Sequence, residues 1–476
     1  MESFFKTFYQ LLSRTDISFM RYLYPQIKWG NRLIGITGAR GTGKTTLLLQ
    51  HIKKTFGAVP KDVLYVSLDD IRFSGKRLFD LASDFDMIGG KYLFIDEVHK
   101  YSNWSQEIKN IYDSFPDMKV VFTGSSMLEI YKGDADLSRR VVHYVLHGMS
   151  FREFLEFDQN IEFEIFTLND ILQNHIEISS TINQKIKPLP LFQQYLRAGY
   201  YPYYKEELDT EKILNKIWDN FLMLKETNII KPSSLFQSHR KEDYFPYYTG
   251  EEKFDAEKLL HTYEVLSDGL YVIKKIEKIK KVEEENRSYT QKLLNTVNVI
   301  LDADLPSFIN IEISTIKKIK QLLLIIAQRV PFTPNVTELA SILEVSRKNV
   351  INYLILLEKA HLLNLLQRDV YRLRDFAKPE KIYLNNTNLA YALENEKPDI
   401  GNLRETFFFN QLKATSEVTF TNKADFMVDK KYIFEVGGKN KGHEQIVGLE
   451  NAFLALDNVE YGFGNKIPLW LFGMLY

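Results

Sequence analysis

The residues best suited to chemistry lie near the start of the chain. Gly38-Ala39-Arg40-Gly41-Thr42-Gly43-Lys44-Thr45 follows a short apolar run, Leu33 to Ile36, and precedes a leucine-rich stretch with helical spacing. Glycines at these intervals let a backbone curl so that its amides point at one anion, and the positive end of a following helix adds to the attraction. That is the pattern of a phosphate-binding loop, for which ATP is the expected ligand. Lys44 would reach the outer phosphates and the Thr45 hydroxyl would ligate magnesium, with Gly38, Ala39, Arg40, Gly41, Thr42, Gly43 and Thr46 completing the cradle. Magnesium also needs a carboxylate, and Asp96-Glu97 ends the apolar run of KYLFIDEVHK (91–100). Asp96 is expected to hold the metal and Glu97 to activate the attacking water. Thr123 and Ser125, at the end of KVVFTGSS (119–126), offer hydroxyls that would sense the terminal phosphate. Arg139 and Arg140 precede another apolar run, where an arginine can neutralise transition-state charge in its own or a neighbouring subunit; Arg140 is taken first, against the plainer reading of a surface pair.

A second constellation stands near the other end of the chain, in IFEVGGKNKG (433–442). A strand delivering Glu435 and, soon after, a lysine resembles the Glu-x-Lys arrangement of metal-dependent nucleases. Glu405, Asp425, Glu435 and Lys439 are the candidates, with Asp425 and Glu435 as a speculative second metal pair. A three-residue turn, Asp429 to Lys431, would set Val428 against Tyr432, Met427 against Ile433 and Phe426 against Phe434, leaving Asp425 facing Glu435. Lys439 is the difficulty. If the strand runs on, it lies about 6.6 Å beyond Glu435, twice the usual interval, so a non-catalytic platform is preferred to an active nuclease.

Positioning these groups requires several domains. A chain of 476 residues is too long for one core, and a 45% hydrophobic, 26% charged composition is that of globular rather than disordered protein. With a net charge of −1, any hold on nucleic acid must come from a local patch. The absence of cysteine removes disulfides, thiol nucleophiles and cysteine-bound zinc. No signal peptide and no membrane span is read, so the cytoplasm is the expected location. Apolar runs alternating with helical patterns over 32–147 predict a parallel α/β sheet of the P-loop NTPase kind, with ligands at the carboxyl ends of its strands. Over 311–376, TIKKIKQLLLIIAQ, NVTELASILEV and SRKNVINYLILLEKAHLL read as three helices, with Ser346 capping the third, and NLLQRDVYRLRD as the wing of a winged helix. If it meets DNA, Arg347, Lys348, Asn349 and Asn352 would face bases and Arg368, Arg372 and Arg374 phosphates; packing against other domains or a protein partner is an equal reading.

Taken in order, Gly38 to Thr45, Asp96-Glu97, FTGSS and MSFREFLEF resemble the prokaryotic AAA-family ATPases that carry a C-terminal domain of uncharacterised function. LRAGYYPYYKE (196–206), DLPSF (304–308) and KPEKIYLNNTNLAYAL (378–393) are similar to the C-terminal part of that family. The resemblance implies ATP hydrolysis with magnesium. It also implies, from NLRETFFFNQL onward, an α+β restriction-endonuclease-like domain built as helix, hairpin, helix. Where the family usually has glycine then arginine before the fifth strand, this chain has Ser138-Arg139-Arg140. The expected divisions are an ATPase domain over 1–157, a helical connector over 158–210, an inserted helical segment over 211–286, a linker and winged helix over 287–376, and the last domain over 377–476. A homo-oligomer is compatible with this plan.

Overall fold

A computed structural model describes residues 1–125, 137, 139–207, 289–309, 311–329, 333–368, 378–393, 398–442 and 444–476. These fall into two compact units: Met1–Pro202 with Leu293–Tyr476, and Tyr203–Lys292. Of the second unit only 203–207 and 289–292 are described, so the expected insertion over 211–286 lies outside the described residues, as do Arg372 and Arg374.

The first unit opens with helix α1 (Glu2–Arg14), whose Phe4, Phe8 and Leu12 recur every four residues and are buried along one stripe. A parallel sheet follows, made of β1 (Leu33–Gly38), β2 (Val63–Ser67), β3 (Tyr92–Asp96), β4 (Lys119–Ser125) and β5 (Val142–Val145) in the order β2-β3-β4-β1-β5. Helices α2 (Lys44–Phe56), α3 (Leu78–Met87) and α4 (Trp104–Ser114) connect the strands. β1, β3 and β4 are almost wholly buried, which is why their sequences read as continuous apolar runs rather than alternating ones. Their arrangement is the P-loop NTPase fold. β4 lies between β1 and β3, so the tip that carries Thr123 sits between the phosphate-binding loop and Asp96.

Helices α5 (Phe151–Gln159), α6 (Leu168–Lys185) and α7 (Pro188–Ala198) lead away from β5. Beyond residue 293, a π-helical turn at Ile300–Asp304 runs into Leu305–Phe308. Then come α8 (Ile313–Ala327), α9 (Val336–Ile342), α10 (Arg347–Lys359) and the antiparallel pair β6 (Leu363–Leu366) and β7 (Lys381–Leu384). The expected Ser346 cap is in place, accepting the Asn349 amide at 3.2 Å, and Asn335 also caps its helix, accepting the Glu338 amide at 3.3 Å.

The last part carries α11 (Thr387–Leu393), α12 (Ile400–Lys413) and a mixed sheet. Its strands are β8 (Val418–Thr419), β9 (Phe426–Val428), β10 (Tyr432–Gly438), β11 (Ala452–Asp457) and β12 (Lys466–Pro468), in the order β12-β11-β10-β9-β8. The hairpin register is the one argued from sequence, with Tyr432 opposite Val428, Ile433 opposite Met427 and Phe434 opposite Phe426. Among the described residues no α-helix follows the hairpin, and the helical turn that comes after it is a 3₁₀ helix beyond β12, Leu469–Met474. Residues 445–451 form turns that lead into β11, which pairs parallel to β10. Gly448 at φ 75° and Asn451 at φ 54° interrupt any helical run in that stretch. No described helix is long and apolar enough to cross a membrane.

The side of α12 that faces the mixed sheet is aromatic. Phe408 is fully buried, its ring centroid within 4.8 to 5.2 Å of those of Phe426, Phe434 and Phe472. Replacing Phe408 by alanine should cost about 3–5 kcal/mol through lost contact and the cavity left behind, read as a lower denaturant midpoint at unchanged slope.

Candidate nucleotide site

The loop between β1 and α2 is shaped by its glycines. A Cβ on Gly38 would stand 2.3 Å from the Leu146 carbonyl oxygen, and Gly41 and Gly43 hold φ of 85° and 92°, the left-handed region. Lys44 opens α2 with its side chain buried. Its ammonium donates to the Gly38 and Ala39 carbonyls, each at 3.0 Å, so the lysine is folded back over its own loop. Burial pushes the Lys44 pKa down, while Glu97 and Asp96 pull it up.

Asp96 is the hub of the site. At the tip of β3, it accepts the Thr45 hydroxyl at 2.5 Å and the Tyr65 phenol at 2.8 Å on one carboxylate oxygen, and the Thr123 hydroxyl on the other. Donors on both oxygens fix the carboxylate plane, and they come from α2, β2 and β4. Tyr65 was not singled out in the sequence. Its signal was the alternation of β2, which points Tyr65 and Ser67 to one face. Burial first, and then Asp96, raise its pKa, keeping it a donor. Glu97 follows in a left-handed conformation, φ 54°, unusual for a non-glycine residue. Its amide donates to Thr123 Oγ1 at 3.2 Å and its carboxylate lies 3.3 Å from His99 Nε2. The Ser125 amide donates to His99 Nδ1 at 3.4 Å.

A buried ion pair braces the loop from behind. Arg21 Nε donates to Glu153 at 2.9 Å, and the other guanidinium nitrogens donate to the carbonyls of Thr42 and, at 2.7 Å, His147. Glu153 also takes the Tyr22 amide at 2.6 Å and closes a capping box with Ser150 at the start of α5. The MSFREFLEF stretch thus acts through one carboxylate on the back of the phosphate loop. Burial alone would depress the Arg21 pKa, but Glu153 outweighs it and holds the guanidinium charged.

Arg140 is not brought to this site. It precedes β5, at the end of the sheet opposite the loop, and its guanidinium pairs with Asp113 at 3.1 Å near the end of α4. Arg139 is exposed beside it. A cavity of about 410 Å³ opens at the other end of β5, lined among others by His147, Tyr200, His361, Asn364, Asn410 and Lys413. Burial depresses the His147 pKa to about 4 and that of His361 to about 3, Lys413 adding to both.

The C-terminal acids do come together, but on lysines. Lys381, from β7, donates to Asp425 at 3.2 Å and Glu405 at 3.4 Å, and Tyr383 donates to Glu405 at 2.7 Å. Asp425 also accepts the Val436 amide at 3.0 Å. Glu435 is paired at 2.6 Å with Lys441 rather than with Lys439, which is exposed. The chain turns after Gly438, the Lys441 amide bonding to its carbonyl at 2.9 Å, so the straight-strand spacing does not apply. Gly437 makes the return possible, because a Cβ there would lie 2.7 Å from the Lys441 stem. Burial raises the pKa of Glu435, and burial followed by Asp425 raises that of Glu405. Among the described residues no three histidine, aspartate or glutamate side chains gather to hold a metal ion.

A strand, a glycine loop closing over a lysine and a hydroxyl-bound aspartate on the next strand but one are the features of a P-loop nucleotide-binding domain. The comparisons agree: residues 30–155 match the family model described as an AAA domain, and residues 279–400 match a domain of unknown function. An uncharacterised protein of Methanocaldococcus jannaschii is 32% identical over 198 residues. The match spans 39% of this chain and only 41% of that relative. Among solved structures, AMPPCP-bound DnaA from Aquifex aeolicus is similar over 74% of this chain and 86% of its own, at 15% identity and a TM-score of 0.24. Thermotoga maritima RuvB is similar over 78% and 90%, at 13% identity and a TM-score of 0.26.

Two outcomes follow from these contacts. Glu153→Ala strands a buried guanidinium, so it should lower stability by about 3–5 kcal/mol in chemical denaturation. The unfolded chain binds protons on His147 and His361 below about pH 6.5, before the folded chain does. Stability should therefore be full above that pH and fall as the pH drops toward 4, by up to about 1.4 kcal/mol per pH unit for each imidazole. His361→Asn should make that fall shallower in denaturation curves taken between pH 7 and 4.5.

Proposed function

We propose that the chain binds ATP with magnesium at the 38–45 loop and hydrolyses it. The observation that carries this reading is the convergence of Thr45, Tyr65 and Thr123 on Asp96, beside a lysine buried in its own loop. Lys44 would leave the Gly38 and Ala39 carbonyls for the outer phosphates, freeing the loop to offer its amides. Thr45 and Asp96 would hold magnesium, which when bound offsets charge on the phosphate oxygens. Glu97 would take the proton of the attacking water, with His99 beside its carboxylate to steady it. Thr123 ties Asp96 to the Glu97 amide, so it would keep the two acids in register. Arg140 has no path to its own loop, so any part it takes in transition-state charge would be in a neighbouring copy.

The elements α8 to β7 favour a winged-helix reading, with Arg347, Lys348 and Asn349 exposed on the first turn of α10, and duplex DNA is the partner we propose for it. For the last domain we propose a docking or scaffolding role rather than cleavage. Lysines stand against all three acids, where a nuclease would need them open to a metal.

Phosphate release from ATP tests the first part. Lys44→Ala and Glu97→Gln should each reduce turnover by about 10²-fold or more, Glu97→Gln with ATP binding retained. Unchanged turnover in both would remove the reading. Stimulation by duplex DNA that fades as salt rises is expected for the second part, and turnover indifferent to DNA would remove it.

A further inference from the structure

Asp304 belongs to neither the phosphate loop nor the acid pair, yet it stands at the mouth of the site. Its carboxylate is buried and meets Lys100 at 2.7 Å, Arg40 at 3.3 Å and His99 at 3.7 Å. Arg40 is part of the loop itself, while His99 and Lys100 follow Asp96-Glu97 on the short turn after β3. Arg40 thus comes from the loop that holds Lys44, and His99 from beside the Glu97 carboxylate, 3.3 Å away. Asp304 is close enough that its charge also raises the Lys44 pKa. Burial would push the Asp304 pKa up, but His99, Lys100 and Arg40 overcome that and hold it at about 2, so the side chain is an anion at any ordinary pH.

Its backbone setting is unusual as well. Asp304 closes the π-helical turn, in which the Leu305 amide bonds to the Ile300 carbonyl five residues back, and Pro306 has no amide with which to restore the α-helical ladder. Lys320 of α8 holds the same helix through Asn298 at 3.2 Å and Asp302 at 2.7 Å. Movement at Asp304 is thereby tied to the three-helix module.

We propose that Asp304 is a carboxylate latch: it occupies Arg40, His99 and Lys100 in place of the terminal phosphate, and ATP displaces it, so that nucleotide state is passed to the 293–327 segment. The latch rests on the nucleotide reading above. An anion that competes with the third phosphate weakens ATP more than ADP, and this selectivity is a property that a purely structural aspartate would not move.

Calorimetric titration of the full chain with a non-hydrolysable ATP analogue and with ADP, in magnesium, tests it. Asp304→Asn should bind the ATP analogue about tenfold more tightly, equivalent to about 1.4 kcal/mol, with a much smaller change for ADP. Asp304→Glu should keep the wild-type ratio. An unchanged or reduced preference for the ATP analogue in Asp304→Asn overturns the latch while leaving the nucleotide reading intact, whereas no binding by the wild type sinks both. Should Asp304→Asn fail to fold, hydrogen exchange on the wild type decides. The ATP analogue, relative to ADP, should speed exchange of the amides from 300 to 308, and equal or slower exchange overturns the latch.

Discussion

The site depends on a buried charge pair behind the phosphate-binding loop. Arg21 and Glu153 are both buried, and each alone would be an uncompensated charge out of water. Together they form a strut whose free donors end on the Thr42 and His147 carbonyls, fixing the back of the phosphate loop to the corner after β5. A loop built on glycine is conformationally costly to hold, because its residues lose more freedom on ordering than any others. The strut fixes the loop from behind, leaving its amides free to face the ligand. Preorganisation of this kind places donors before the anion arrives, the condition under which a low-dielectric site is most effective.

The front of the loop is organised by the strand order. Because β3 lies between β2 and β4, hydroxyls from both neighbours reach Asp96, and the adjacent Glu97, in a left-handed conformation, donates its amide to the same Thr123. Asp304 then brings an acid from far along the chain to the open side. The site thus has a fixed back, an aspartate fixed by hydroxyls at the tip of β3, and a further carboxylate, Asp304, on Arg40 and Lys100. In the C-terminal sheet buried acids are likewise matched by the chain's own cations, Lys381 and Lys441 against Glu405, Asp425 and Glu435, and Arg404 against Asp457.

How much of this could be read in advance follows from sequence distance. The phosphate loop and Asp96-Glu97 were legible because each is a local pattern at a strand end, and the β9–β10 register was legible because alternation and turn length decide it. The Ser346 cap is local too. By contrast, Arg21 and Glu153 are far apart in the chain, as are Arg40 and Asp304, and no periodicity links them. Lys381 lies before α12 and reaches its acids from a strand of the other sheet, so a search near IFEVGG could not find it. Lys439 was a candidate whose difficulty was its distance along a continuing strand; the strand instead turns after Gly438 and brings Lys441 to Glu435. The helix expected after the hairpin failed for a similar reason, since a left-handed residue within the turns redirects the chain into β11.

Asp96 as the metal-facing centre of an ATP site is the claim on which the rest stands. It is tested most directly by measuring ATP affinity with and without magnesium in the wild-type chain and in Asp96→Asn, which keeps the side-chain shape and a hydrogen-bonding oxygen. The wild type should bind ATP about tenfold or more tightly when magnesium is added, and the variant should lose that gain while still folding. An equal magnesium effect in both proteins would contradict the account.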